Sequence, residues 1–164
     1  MKEHLIKYAE YNLWANRLLA EVVSGLSEHD ADQSIISSFP SVKKTVLHIL
    51  SAEHIWLARL SDPANVQWLG ESANGAIGDV CAKWIAVSEK LAEYVGTSSD
   101  VDLQKLMTYN DLRENMRGEP CHLILLHVIN HSTSHRGQLI TMLRQLGVST
   151  LPQTDFIAFV RLNP

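Results

Sequence analysis

The sequence predicts an all-α fold: an up-down four-helix bundle with a small irregular hairpin or loop between helices three and four, forming one domain over residues 1–164. Three observations carry this. Apolar residues recur at three- and four-residue steps in four long stretches, the spacing that gives a helix one apolar face. Clusters of Gly, Pro, Asn, Asp and Ser separate those stretches. With 46% hydrophobic and 20% charged residues, the chain can also bury one sizeable core.

The first helix runs from Lys2 to about Gly25, with Leu5, Tyr8, Ala9, Leu13, Trp14, Leu18, Leu19, Val22 and Val23 in helical register. Asn12 and Asn16 are its polar exceptions; four apart, they share a face that either meets solvent or approaches a polar site inside the bundle. After the polar segment Ser27–Phe39, Ser38 or Ser41 can cap a second helix that begins near Pro40 and runs to about Leu60. Its apolar residues occupy most of the circumference, and His48 lies among them. Ser61 to Gly78 reads as a loop, in which Val66, Trp68 and Leu69 are placed to fold back as a lid. The third helix spans about Ile77 to Val95, with Gly96 as its stop. Leu106–Tyr109, followed by Asn110-Asp111, suggests the hairpin. Pro120 and Gly147 bracket a fourth helix apolar enough to be largely buried together with its histidines, and Thr150–Pro164 is a tail apolar enough to dock on the bundle.

Composition excludes several classes. A net charge of −4 and scattered Lys and Arg give no footprint for nucleic acid. No apolar run is long enough to span a membrane, and the N-terminus lacks the apolar core of a signal peptide, so a cytoplasmic protein is expected. Cys81 and Cys121 are the two cysteines and form no C-x-x-C pair. Cys81 sits on an apolar helical face as a small core residue.

The chemistry concentrates in the fourth helix, where His127, His131 and His135 recur every four residues. Such a step drifts only about 40° around the helix, so the imidazoles form a slanting stripe. Two of them can share a metal ion, or each can be a hydrogen-bonded core or surface residue. In the second helix, small Ala52 leaves room beside His48, which makes His48 a candidate third ligand. His54 points about 120° away from His48 and is expected to be supporting or exposed. If the second and fourth helices face each other, His48, His131 and His135 can converge and leave coordination positions open. No Glu accompanies them as H-E-x-x-H requires, and Glu53 lies about 140° around the helix from His48.

The stretches Tyr11-Asn12-Leu13-Trp14-Ala15-Asn16, Thr45-Val46-Leu47-His48-Ile49-Leu50, Asn130-His131-Ser132-Thr133-Ser134-His135-Arg136-Gly137-Gln138 and Pro152-Gln153-Thr154-Asp155 resemble the DinB (DinB/YfiT-like) superfamily over nearly the whole chain. The resemblance implies a four-helix bundle, commonly a homodimer, with His48, His131 and His135 as ligands of a divalent transition metal. Nitrogen donors favour Zn or Ni. His127 matches no family ligand and is expected to support its neighbours; Asn130 and Arg136 either orient the adjacent ligands or belong to the polar helix surface. The superfamily includes transferases and isomerases that use bacillithiol, mycothiol or glutathione. The implied function is therefore a metal-dependent, thiol-dependent S-transferase acting on small electrophiles, with a low-molecular-weight thiol as cofactor. A metal-dependent hydrolase and a non-catalytic metal-binding dimeric protein are the alternatives.

Overall fold

Four long helices form where the periodic stretches lie, in a computed structural model that describes residues 1–67, 69, 73–110 and 115–163. They are α1 (Lys2–Ser24), α3 (Val42–Ser61), α4 (Ile77–Thr97) and α6 (Cys121–Gln145), joined by the short helices α2 (Glu28–Asp32) and α5 (Asp100–Gln104) and followed by α7 (Phe156–Leu162). Local chemistry sets their ends. Gly25 caps α1, and the Ser41 hydroxyl accepts the Lys44 backbone N–H at 3.2 Å to open α3. Pro120 immediately precedes α6, and Gly147, at φ 87°, occupies the left-handed region just past its end.

Some boundaries differ from those expected. Gly96 does not stop α4, which continues to Thr97 and is capped by Ser98. A glycine inside a helix costs only about 1 kcal/mol, and the fully buried Val95 beside it holds the last turn in place. The helices α2 and α5 are too short to show a period; Ser27 and Ser99 cap them through their hydroxyls. The tail is helical, and it docks as expected, with Phe156 and Phe159 packed against Tyr11. The hairpin is present: β1 (Leu106–Asn110) pairs antiparallel with β2 (Met116–Pro120). Asp111 of the expected hairpin, Trp68 of the expected lid and Gly70 of the expected loop lie outside the described residues. Leu69 packs on the core.

Two hydrophobic clusters fill the bundle. One gathers Leu19 and Val23 late in α1, Val42 to Leu50 early in α3, Ile77 to Trp84 early in α4, and Leu139 to Leu143 late in α6. The other gathers the opposite ends: Leu5, Leu60, Leu91, Val95, Leu125 and Val128. The four long helices of this bundle therefore run up, down, down and up. Because α3 and α4 are packed neighbours running in parallel, the connection between them must travel the length of the bundle, which accounts for its size. The fourth long helix is less enclosed than its composition suggested. Helix α6 packs against α1 and α3 and also meets α5 and β2, yet Leu123 is 49% and Leu126 40% exposed, His127 is exposed, and His131 and His135, facing α3, are only half-buried.

Candidate metal centre

Helices α3 and α6 lie side by side, and that packing brings together histidines 83 residues apart in the chain. His48 comes from α3; His131 and His135 come from successive turns of α6. Each offers one ring nitrogen, and the three atoms lie within 4.8 Å of one another. The Nε2 atoms of His48 and His131 are 3.0 Å apart. Two nitrogens bound to one tetrahedral zinc at 2.0–2.1 Å stand about 3.3 Å apart, so the spacing fits a shared ion. Burial, and then the neighbouring His135, His48 and His127, lower His131 to about 4. Burial and His135 lower His48 as well. Both rings are therefore neutral near pH 7, each with a lone pair available to an ion.

The surroundings constrain these rings. Gln138 Oε1 lies 2.9 Å from His135 Nδ1; with the imidazole donating, Nε2 is left as the free lone pair. The same amide donates to Ser38 Oγ at 3.1 Å, tying the segment before α3 to α6. Next in that segment, Phe39 stacks on His48 with ring centroids 4.1 Å apart and presents an edge to His135. A cavity of about 650 Å³ opens beside His48, lined by Phe39, Pro40, Lys44, Leu47, Ser51 and Asn74 among others. Neither Phe39 nor Gln138 stood out as a site residue in the sequence, since both reach the cluster only through tertiary approach.

Behind the histidines, a buried polar layer separates the two hydrophobic clusters. Glu53 is fully buried and accepts from Asn12 Nδ2 at 2.8 Å, Asn16 Nδ2 at 2.9 Å, Ser88 Oγ at 2.5 Å and Ser132 Oγ at 2.8 Å. Arg136 Nη1 donates to the Oδ1 atoms of Asn12 and Asn16, at 2.5 and 2.7 Å. The two asparagines thus join a buried anion to a buried cation, which resolves their alternatives in favour of the interior. Arg136 belongs neither to the polar surface nor to the histidine cluster: at 2% exposure it is a core residue on the far side of α6. Glu53 points away from His48, as its place on the helix required. His127 stays outside the trio, its ring 6.0 Å from that of His131 and 5.5 Å from Trp56. His54 is also apart, with Nε2 3.0 Å from the Gln67 carbonyl, and Asn130 is exposed.

Comparison with known proteins places this arrangement. The family model of the DinB family matches residues 1–163. The chain belongs to the DinB family. Protein DinB of Bacillus subtilis (strain 168) is 28% identical over an alignment 163 residues long that covers 95% of this chain and 93% of that protein. Two solved structures share the DinB-like fold. A DinB-like protein from Bacillus subtilis has a TM-score of 0.69 at 18% identity, covering 90% of this chain and 97% of its own. Another, from Bacillus cereus ATCC 10987, has a TM-score of 0.62 at 20% identity, covering 85% and 90%. DinB membership and the three-histidine cluster are both compatible with metal binding.

Proposed function

We propose that this DinB-family chain binds one divalent transition metal, Zn or Ni, through His48, His131 and His135, and serves as a cytoplasmic, thiol-dependent S-transferase acting on small electrophiles. The observation that carries this reading is the convergence of three imidazoles, one of which, His48, lines a cavity of about 650 Å³. A divalent ion held there favours the thiolate form of a bound thiol at neutral pH. The chain's own residues do the rest. Gln138 fixes which nitrogen of His135 is free, Phe39 shields the cluster from bulk water, and Lys44 gives the cavity a positive charge suited to a thiol that carries a carboxylate. The nucleophile must come from outside: Cys81 and Cys121 are buried, and burial pushes the Cys81 thiol up to about 11. Hydrolysis finds less support, because no carboxylate joins the histidine cluster among the described residues and Glu53 is engaged in the core. Exposed Leu123 and Leu126 on α6, with Tyr8 on α1, support a homodimer.

Cobalt substitution tests the thiol step directly. Adding bacillithiol, mycothiol, glutathione or coenzyme A to the cobalt-loaded protein should produce a sulfur-to-metal charge-transfer band with at least one of them. The His48→Ala variant should lose both that band and any acceleration of thiol conjugation. If all four thiols leave the cobalt spectrum unchanged, thiol transfer gives way to metal-assisted hydrolysis or to metal binding without turnover.

A further inference from the structure

The segment that carries Phe39 is pinned at both ends and loose between them. Ile35 is buried in the core, and Ser41, also buried, caps α3. The Ile35 N–H donates to the Pro40 carbonyl at 2.8 Å, which closes residues 36–40 into a short loop. Within it Ile36, Ser37, Ser38 and Pro40 are exposed, and among the described residues no backbone group of residues 36–39 hydrogen-bonds to the rest of the protein. Two side-chain contacts hold the loop against the helices: Phe39 rests on the rings of His48 and His135, and Ser38 Oγ accepts from the Gln138 amide at 3.1 Å. Few buried contacts between two fixed ends are what a segment that opens locally requires.

Phe39 also stands between a cavity and the histidines. It lines the cavity of about 650 Å³, and of the three histidines only His48 lines that cavity with it. A molecule in the cavity therefore meets Phe39 and His48 before His131 or His135. The platform under Phe39 is made of rings from two helices, His48 on α3 and His135 on α6, with centroids 4.5 Å apart. An ion bound to both would pin them relative to each other and give Phe39 a fixed surface. A ligated imidazole also carries part of the ion's charge, which favours an aromatic face stacked on it. We infer that residues 36–40 form a gate over the metal centre: Phe39 is the closing side chain, Ser38 with Gln138 is the latch, and an ion held by the histidines favours the closed position. The gate rests on the metal reading and adds the route to it, since entry from the cavity requires Phe39 to swing aside and closure then excludes water. Because the two equilibria are linked, Phe39 holds the ion as firmly as the ion holds Phe39.

The test places a nitroxide at the fully exposed position 36, in an Ile36→Cys variant of the full-length protein; the native cysteines are buried and do not compete for the label. Electron paramagnetic resonance is recorded with and without zinc, and bound zinc is counted by elemental analysis in the same samples. Zinc should shift the label toward its immobile component. Ser38→Ala, which breaks the latch without touching a histidine, should still hold zinc yet raise the ratio of mobile to immobile label about two- to tenfold, the range for one hydrogen bond. Phe39→Ala should leave the label mobile with or without zinc, and a chelator should strip its zinc about two- to tenfold faster, the range for one aromatic stacking contact. A labelled protein that holds its zinc while the spectrum does not respond, or that responds equally when Phe39 is Ala, would overturn the gate. If no zinc is bound at all, the metal reading fails and the gate fails with it, a result that the elemental count separates from the other two.

Discussion

His48 and His131 can ligate an ion only while neutral, and the fold keeps both neutral mainly by burial. His131 illustrates the sign. Its folded value of about 4 lies below its ordinary 6.5, so between those limits the unfolded chain binds more protons than the folded one. The stability contributed by keeping this ring uncharged is present above about pH 6.5 and is lost as pH falls toward 4. Urea midpoints of metal-free protein should therefore fall across that window, and those of His131→Ala should fall less; parallel declines would show that His131 is not held neutral by the fold. Gln138 acts on affinity instead. Its Gln138→Leu variant should still take up an ion but bind it about 10–100-fold more weakly, because His135 loses the partner that fixes its tautomer. A zinc competition titration reads this, and unchanged affinity would remove Gln138 from the site. The i, i+4 histidine spacing was legible in the sequence because one helix sets it. The contributions of Phe39 and Gln138 were not, because they depend on how the segment before α3 lies against α6.

At the scale of elements, periodicity revealed every helix long enough to need an apolar face and missed those that are not. Helix α5 has five residues and is held by a reciprocal cap: the Ser99 hydroxyl accepts the Asp102 backbone N–H, and the Asp102 carboxylate accepts that of Ser99. Replacing Ser99 by Ala should lower stability by about 1 kcal/mol. Denaturant unfolding measures this, and no change would mean that α5 is held by Leu103 in the core alone. The stop expected at Gly96 was misplaced for a related reason: packing of Val95 decided the end of α4, and packing is not written in local residue preference.

For the whole molecule, the bundle was legible in class, but its interior was not purely apolar. Helical spacing alone could not say whether Asn12 and Asn16 face water or the core, since that depends on which helices flank α1. Once α4 and α6 are those neighbours, Glu53, Ser88, Ser132 and Arg136 complete a polar layer that only this arrangement satisfies. Arg136→Ala would strand the Glu53 carboxylate without a compensating charge and should cost roughly 3–5 kcal/mol. Thermal or urea unfolding would show it, and a loss below about 1 kcal/mol would mean that the layer contributes little. The same layer keeps α3 and α6 in the register that brings His48 opposite His131.

The metal content of purified protein tests the central claim most directly. Elemental analysis after zinc loading and removal of excess ion should find about one zinc per chain in the wild-type protein and almost none in a folded His131→Ala variant, with His127→Ala retaining its full complement. Undiminished zinc in the His131 variant, or an equal loss in the His127 variant, would contradict the assignment of the ion to His48, His131 and His135.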